Sequence, residues 1–570
     1  MSRRARAAAA LAAAPCWLAL CAAWFDVGLA RPPWLPRLAP PLAAAAALFA
    51  GAWWWGGRRG ESGGAATASA ASRSTLLLVA ALAVLFRLPL AWQGAAAYVT
   101  ADGALSGIVA LHVREGIERL VFVPHVPYSG SLKSHLTAVL SLAVDTARAF
   151  ALASILFYAV FVAALYALGA RARQAPAWTA LAAAVYAAFA PAFVTRYSLS
   201  NDGNYVEVLA LGTVALWLAV RWAEERERRA VLAFAIGGAL GLAFWCHILA
   251  VIPAAAVGLF VLTSDPRAGA RALPPAAAGF VLGAAPSLLW NAANGWASFE
   301  YLLPGGTPVG DAHVGPALAT RVRGLFLDHL PVLLGYDPGY AAAVDVALKA
   351  AALGALALTV AAFVAAARAS GRTACPVRRV VLWLALVNVM VVLAALPYLP
   401  GNPRYLLFLV PALAIVLARL LRAPRARPGF VALVALGALG SLAQAPGAFE
   451  ADRRWRDLAA TLEAAGERWC YADFYIATKV NFLSEERVIC SAKLGPTTTE
   501  YFFAYREAVD AAPFAAFVAV NDDNAQKLER RLQRLGVTYQ RLDVMKPILL
   551  RLSRKVDPEE LFPGREFPLR

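Results

Sequence analysis

The chain has 570 residues, of which 60% are hydrophobic and only 16% charged, with a mean hydropathy of +0.59. That balance excludes an ordinary soluble protein, which is nearer half apolar and about a quarter charged. The net charge of +17 does not point to nucleic acid, because the arginines sit in short clusters between apolar runs, the pattern of membrane topology rather than of a phosphate-binding face.

The chain opens with a basic stretch, 2–6, and an apolar run, 11–25. This combination can be a signal peptide. No small-residue cleavage site leads into a soluble region, however, and a second apolar run, 38–55, follows at once. Both runs are expected to be retained helices, followed by a flexible Gly/Ser/Ala/Arg linker at 56–74. Further apolar runs lie at 75–94, 148–169, 177–194, 205–221, 230–246, 248–263, 273–290, 342–366, 379–397, 405–421 and 429–446. With the first two they make about thirteen spans of ~17–25 residues, the length a hydrocarbon core needs. Residues 230–263 are too long for one crossing, so two spans with a tight turn at His247 are expected.

Charge gives the topology. Arg58, Arg59 and Arg73, Arg171 and Arg173, the arginines of 221–229, Arg267 and Arg271, and those of 368–379 and 419–427 fall in alternate loops. The positive-inside rule makes their side the cytoplasm, together with the N-terminus. The other side then receives 95–147, 195–204, the turn at His247, 291–341, 398–404 and everything after 447. All six histidines (His112, His125, His135, His247, His313 and His329) fall on or next to that side. Chemistry is therefore expected outside the cytoplasm, which in a bacterium is the periplasm.

Composition changes from 450 onward. Residues 453–468 alternate charged and apolar positions at helical spacing. Strands are expected at 469–473, 487–491, 515–520, 539–542 and 548–552, with helices at 475–483 and 522–535. That alternation reads as an α/β unit of about 110 residues. Cys470 and Cys490 fall on neighbouring expected strands in an oxidising compartment. A disulfide fits them, with two free buried thiols as the alternative. The expected division is 1–74, two N-terminal spans and a linker; 75–446, a transmembrane catalytic domain with external loops 95–147 and 291–341; and 447–570, a soluble periplasmic domain. The fold class is an α-helical polytopic membrane protein with a small C-terminal α/β domain.

Residues 98–136 form the first long polar excursion, and Asp102 is the only acid in its opening turn. An acid at the lip of a membrane domain is costly to place and is a functional candidate by default. A simpler role is helix N-cap before Gly103, Ala104 and Leu105. Asp202 sits in an ordinary turn sequence, Asn201-Asp202-Gly203-Asn204, and is otherwise a second polar group of the same cavity, with Glu207 as its substitute. Lys133, Arg196 and Arg404 are cations at external helix ends. Each can simply snorkel to the interface; together they can neutralise a lipid-linked phosphate. Arg404 is the strongest, because Pro403 restricts the backbone before it and a guanidinium binds phosphate bidentately. His247 interrupts an apolar hairpin and is the histidine expected to face a cavity. No HxH, HExxH or CxxC spacing is present, so no cofactor is expected, with a divalent metal at the histidines as the lesser alternative. Trp290, Trp296, Phe299 and Tyr301 read as a membrane-interface belt, or as stacking faces for sugars.

These residues resemble a known class. An N-terminal span, an external loop opening with an acid, and then Pro127-Tyr128-Ser129-Gly130-Ser131-Leu132 entering an amphipathic helix are similar to the GT-C membrane glycosyltransferases. The nearer branch is that of protein O-mannosyltransferases, aminoarabinose transferases and Rgt-like bacterial sugar transferases. Pro403-Arg404-Tyr405-Leu406-Leu407 fits it too, as do 471–474 and 482–489. The resemblance covers roughly 75–560. It implies a polyprenyl-phosphate-linked sugar donor, inversion at the anomeric carbon and a loop acid as base. By position that acid is Asp102, and Tyr128 joins the substrate-binding set. The chain departs from the pattern at Asp102-Gly103, where the family often has two acids, and at Lys133 and His135, where it often has an acid or an aromatic. The first departure counts against a two-carboxylate or metal-bridged mechanism; the second suggests a different acceptor or a modified phosphate contact.

The expectation is thus an inverting, polyprenyl-phosphate-sugar-dependent glycosyltransferase of the bacterial inner membrane. It would act on an acceptor hydroxyl of a glycan, lipid or protein. Its candidate residues are Asp102 as base and Arg404, Lys133, Asp202, His247, Tyr128 and Arg196 as substrate contacts. The rivals are a flippase of lipid-linked sugars, which needs polar groups at mid-membrane or broken helices in matched repeats, and a non-catalytic assembly protein on the same fold.

Overall fold

The computed structural model describes residues 14–15, 17–28, 72–172, 176–200, 203–302, 317–336, 342–368, 375–395, 403–494, 500–543 and 547–562. The apolar run 38–55, nearly all of the linker, Asp202 and His313 lie outside the described residues.

The chain is a multi-pass membrane protein. Among the described residues, eight helices are long and apolar enough to cross a bilayer: Arg73–Tyr98, Thr146–Ala170, Tyr205–Glu224, Arg226–Cys246, Asp345–Arg368, Pro376–Leu393, Pro403–Leu420 and Pro424–Ala464. A ninth results if one bent pair is a single span. Two of the expected spans are broken, each for a plain cause. The expected span 273–290 is really Pro266–Gly283 followed by Ala285–Ala293, bent by 72°. Pro286 lies in the first turn of the second piece. It has no N–H to offer the preceding turn, and its ring crowds that turn's carbonyl. The expected span 177–194 stops at Ala188 and resumes as Ala192–Tyr197 after Pro191.

Broken membrane helices must have their freed carbonyls satisfied inside the protein. Here Tyr158 donates to Ala187 O (2.7 Å), Arg87 Nη1 to Ala188 O (2.7 Å) and Thr195 Oγ1 to Ala190 O (3.0 Å). Arg87 is completely buried, and its guanidinium lies 3.9 Å over the Tyr158 ring. The helices Arg229–Cys246 and Pro266–Gly283 cross backbone to backbone. Gly237 and Gly241 face Gly279 and Gly283, and a Cβ on any of the four would overlap the opposite backbone. This is the small-residue crossing that lets membrane helices approach without a solvent-driven force.

The loop 95–147 is structured throughout. It contains the helix Ala101–Glu115, a hairpin of β1 (Phe122–Val123) and β2 (Val126–Gly130), and the helix Leu132–Leu140. At the other end of the chain, the helix Arg427–Ala464 runs 38 residues without a break, from the bundle into the sheet unit. The helix therefore crosses the expected boundary of 447 without a break. The sheet has five strands: β3 (Trp469–Ala472), β4 (Ile489–Ser491), β5 (Ala516–Ala519), β6 (Tyr539–Asp543) and β7 (Ile548–Leu552), in the order β4-β3-β5-β7-β6. β3 is parallel to β4 and β5, and β7 is antiparallel to β5 and β6. Central β5 is buried at every residue, whereas edge strand β6 is only partly covered, as expected for covered and open positions in a sheet. Cys470 and Cys490 are register partners on β3 and β4 and are joined as a disulfide.

The core of the sheet unit is continuous with the loop helix. Ala104, Leu105, Ile108 and Val109 of the loop helix belong to the same buried cluster as Ile476, Val480, Phe482 and Leu549. Gly107 makes this packing possible, because a Cβ there would overlap the Phe482 ring. The first loop and the C-terminal unit are one packed body.

Candidate functional site

Five segments converge where the loop meets the ends of the membrane helices. They are the N-terminus of Ala101–Glu115, strand β2, the start of Tyr205–Glu224, the turn at His247 and the 3₁₀ turn Pro403–Leu409. Asn204 ties three of them. It adopts a left-handed backbone (φ 58°), which Asn tolerates better than most residues, and is 1% exposed. Its Nδ2 reaches Ser129 Oγ (3.1 Å), Gly130 O (2.6 Å) and Cys246 O (3.0 Å). Ser129 also forms a β-bridge with His247. Sequence reasoning saw an ordinary turn around Asn204 and missed this role; an asparagine closing that turn just before a membrane helix was the available signal.

A line of side chains results. The Tyr128 ring stands 5.3 Å from His247 and 5.4 Å from Tyr301. His247 stands 5.3 Å from Tyr205, which is 6.1 Å from Tyr405. Arg404 lies over Tyr405 (5.0 Å) and Tyr205 (5.9 Å), and its Nη2 donates to the Tyr405 hydroxyl (3.0 Å). A guanidinium between two phenol rings keeps its donor edge in one plane, a geometry suited to an oxyanion.

His247 is 5% exposed, and its Nδ1 accepts the Leu249 N–H (3.1 Å). Burial, helped by the Arg404 charge, pulls it down to about 3. It is therefore a neutral imidazole with its proton on Nε2, a donor rather than a cation. Burial also raises Tyr128 above the ordinary phenol range, with Tyr301, Tyr405 and Asp102 adding to the effect. Tyr501 of the sheet unit is pushed up to about 12 by burial and then by Asp102. Both phenols keep their protons, and the Asp102 charge adds to the rise in each.

Asp102 is exposed, in the first turn of its helix. The cap is Thr100, whose Oγ1 accepts the Gly103 N–H at 3.2 Å. This corrects the alternative that Asp102 caps the helix. Its carboxylate lies at the positive end of the helix dipole, within electrostatic reach of Tyr128 and Tyr501.

The other candidates divide. Arg196 is exposed, 5.5 Å over Tyr197, which borders Tyr205 at 5.9 Å. It sits at the rim. Lys133 is not a surface cation but 1% exposed, with Nζ 3.5 Å from Glu207 Oε1 and bonded to Ser154 Oγ (3.1 Å) and Ser200 O (3.2 Å). Its long stem turns inward, where a buried counter-charge is available. The histidines are dispersed: His125 is 4.8 Å from Phe503 and His135 4.9 Å from Phe25. Among the described residues, no group of three or more His, Cys, Asp or Glu is arranged to hold a metal. Of the supposed aromatic belt, Tyr301 belongs to the site and Trp290 packs on Phe122 (5.1 Å).

Solved structures share this architecture. ArnT from Cupriavidus metallidurans bound to undecaprenyl phosphate superimposes with a TM-score of 0.55 at 11% identity, covering 83% of this chain and 97% of that one. The same protein in its apo state gives 0.52 at 11% identity and the same coverage. The Archaeoglobus fulgidus oligosaccharyltransferase, in complex with Zn and sulfate, aligns over 84% of this chain and 73% of that one at 13% identity, with a TM-score of 0.48. No protein-family model and no curated protein matches the chain. The fold is that of the GT-C class of membrane glycosyltransferases.

Proposed function

We propose that the protein is an inverting glycosyltransferase that moves a sugar from a polyprenyl-phosphate carrier to an acceptor hydroxyl. The observation that carries this reading is the line Tyr128–His247–Tyr205–Arg404, with the exposed Asp102 carboxylate within electrostatic reach of Tyr128. It ends in an aromatic-caged guanidinium, in a fold shared with an enzyme crystallised with undecaprenyl phosphate. Basic loops on the opposite side support placing this face in the periplasm of a bacterial inner membrane, with the N-terminus in the cytoplasm.

In this scheme Asp102 takes the proton of the acceptor hydroxyl as its oxygen attacks the anomeric carbon. The bond from that carbon to the phosphate oxygen breaks, its electrons pass to the phosphate, and the configuration inverts. Arg404 binds the departing phosphate, while the His247 Nε2–H and the Tyr128 O–H are donors along the path of developing charge. Arg196 guards the rim. The scheme uses no cofactor.

The test is transfer from labelled polyprenyl-phosphate sugars by the purified, membrane-reconstituted chain. Asp102→Asn should lower turnover by about 10²–10⁴-fold, the worth of a positioned general base, with an unchanged melting profile. Normal turnover in that variant would sink the reading.

A further inference from the structure

The helix that carries Asp102 at one end carries His112 at the other. His112 is 7% exposed and sits between two carboxylates. Its Nδ1 is 2.6 Å from Glu118 Oε1 and its Nε2 is 2.8 Å from Glu486 Oε1. Glu118 follows the helix in the loop, and Glu486 belongs to the sheet unit. The Tyr505 hydroxyl donates to the same Glu486 oxygen, and Phe502 stands edge-on to the imidazole at 5.2 Å. Two residues on, Arg114 reaches Glu485 (3.1 Å), and Thr146 of the next membrane helix donates to it (2.7 Å).

Glu485 and Glu486 are consecutive residues with left-handed backbones, φ 48° and 60°. Non-glycine residues hold that conformation at a cost and keep it only where their surroundings fix them. Here both carboxylates are held by side chains of the loop, which brace the strained turn against the Asp102 helix.

We propose that His112, bridging Glu118 and Glu486, is a positioning residue: it clamps the helix bearing Asp102 to the sheet unit and sets where that carboxylate meets the acceptor. The inference rests on the transferase reading for its consequence, but the clamp itself does not.

The clamp has a charge requirement. A neutral imidazole can donate from one nitrogen only, so satisfying both carboxylates needs the imidazolium. Burial alone would pull His112 down, but the hydrogen bonds to Glu118 and Glu486 carry it up to about 9. A raised histidine gives stability that is whole below its ordinary value of 6.5 and lost as pH rises through about 9. Glu485 and Glu486 are held below the ordinary carboxylate value by the loop's Arg114 and His112 and by the hydroxyls of Thr146 and Tyr505. Their contribution is whole above that value and lost in acid. The clamp is therefore closed at neutral pH and opens on the alkaline side.

The experiment is deuterium uptake by peptides covering 101–115 and 484–488 in the full chain in lipid nanodiscs, corrected for intrinsic exchange, with transfer measured in parallel. Wild type should exchange about tenfold faster or more at pH 10 than at pH 7, and turnover should fall over the same interval without a matching change in donor KM. His112→Gln should exchange fast at both pH values and lose the pH dependence of turnover. Glu118→Gln keeps an acceptor for Nδ1–H but removes one of the two negative charges, at the half-buried edge, and should move the inflection to lower pH with the fold intact. Uptake independent of pH in wild type, or no shift in Glu118→Gln, overturns the clamp. Transfer that is absent while uptake behaves as stated overturns the transferase reading and leaves the clamp standing.

Discussion

The loop 95–147 contributes to two sets of opposite charges, and they are built differently. Lys133 and Glu207 face each other at 3.5 Å with both side chains fully buried, and the ammonium is further met by Ser154 and Ser200. Asp102 is exposed, and Arg404 is half-buried between two phenol rings. The first set is closed by the protein itself. The second leaves a carboxylate and a guanidinium on a surface that a substrate can reach. A charge taken into a membrane protein must be matched by the chain or reserved for a ligand, and this loop supplies one charge to each use.

The comparison predicts that the two carboxylates fail differently. Asp102→Asn should lose transfer, about 10²–10⁴-fold, with stability unchanged. Glu207→Gln should do the opposite. It leaves the Lys133 charge buried without its partner, at a cost of about 3–5 kcal/mol, read as a lowered melting temperature in detergent. A Lys133→Met, Glu207→Leu double variant should recover most of that loss, because apolar residues can replace a buried pair at little cost. It should also retain transfer. If Glu207→Gln melted normally but lost transfer, the division into a structural and a functional set would be wrong.

The sequence made some of this legible. The C-terminal strands were readable because short apolar runs alternate there with charged turns, and β3 to β7 fall within a few residues of the expected ranges. Asp102, His247 and Arg404 could be singled out as candidates because each is polar at the edge of an apolar run, whereas Tyr128 entered only through the family resemblance. What hid Lys133 is that its partner is remote in the chain: no local pattern distinguishes a lysine that snorkels outward from one that meets Glu207 inside. The same holds for Arg87, an arginine within an expected span whose hydrogen bonds go to a helix break around Pro191. The shared core of loop and sheet unit was equally invisible, because periodicity reports that a helix has a buried face and not what covers it.

Arg404 sharpens the open half of the comparison. Arg404→Ala removes the caged guanidinium and should cost about 1.5–3 kcal/mol of donor recognition, typical of hydrogen bonds to a charged group. That is roughly ten- to hundredfold in kcat/KM for the polyprenyl-phosphate donor. Lysine should recover only part, since an ammonium keeps the charge but neither the fork nor the stacking between Tyr205 and Tyr405. Unaltered donor kinetics in Arg404→Ala would remove it from the site.

The smallest expected effect bears on what the two sets have in common, the rigidity of the body that holds them. A Cβ on Gly107 would overlap the Phe482 ring. Gly107→Ala should therefore cost about 1–3 kcal/mol through overpacking, less whatever a better helix former returns in the middle of Ala101–Glu115. Phe482→Leu alone should also destabilise, by leaving a gap in the cluster that joins loop and sheet. Together the two changes should be less damaging than their sum, because the shorter side chain makes room for the new methyl, and residues in contact are where additivity fails. A double-mutant cycle on melting temperature measures that coupling. A sheet unit folding independently of the loop would give strictly additive losses, and Asp102 would then stand on a helix with no fixed relation to Tyr501.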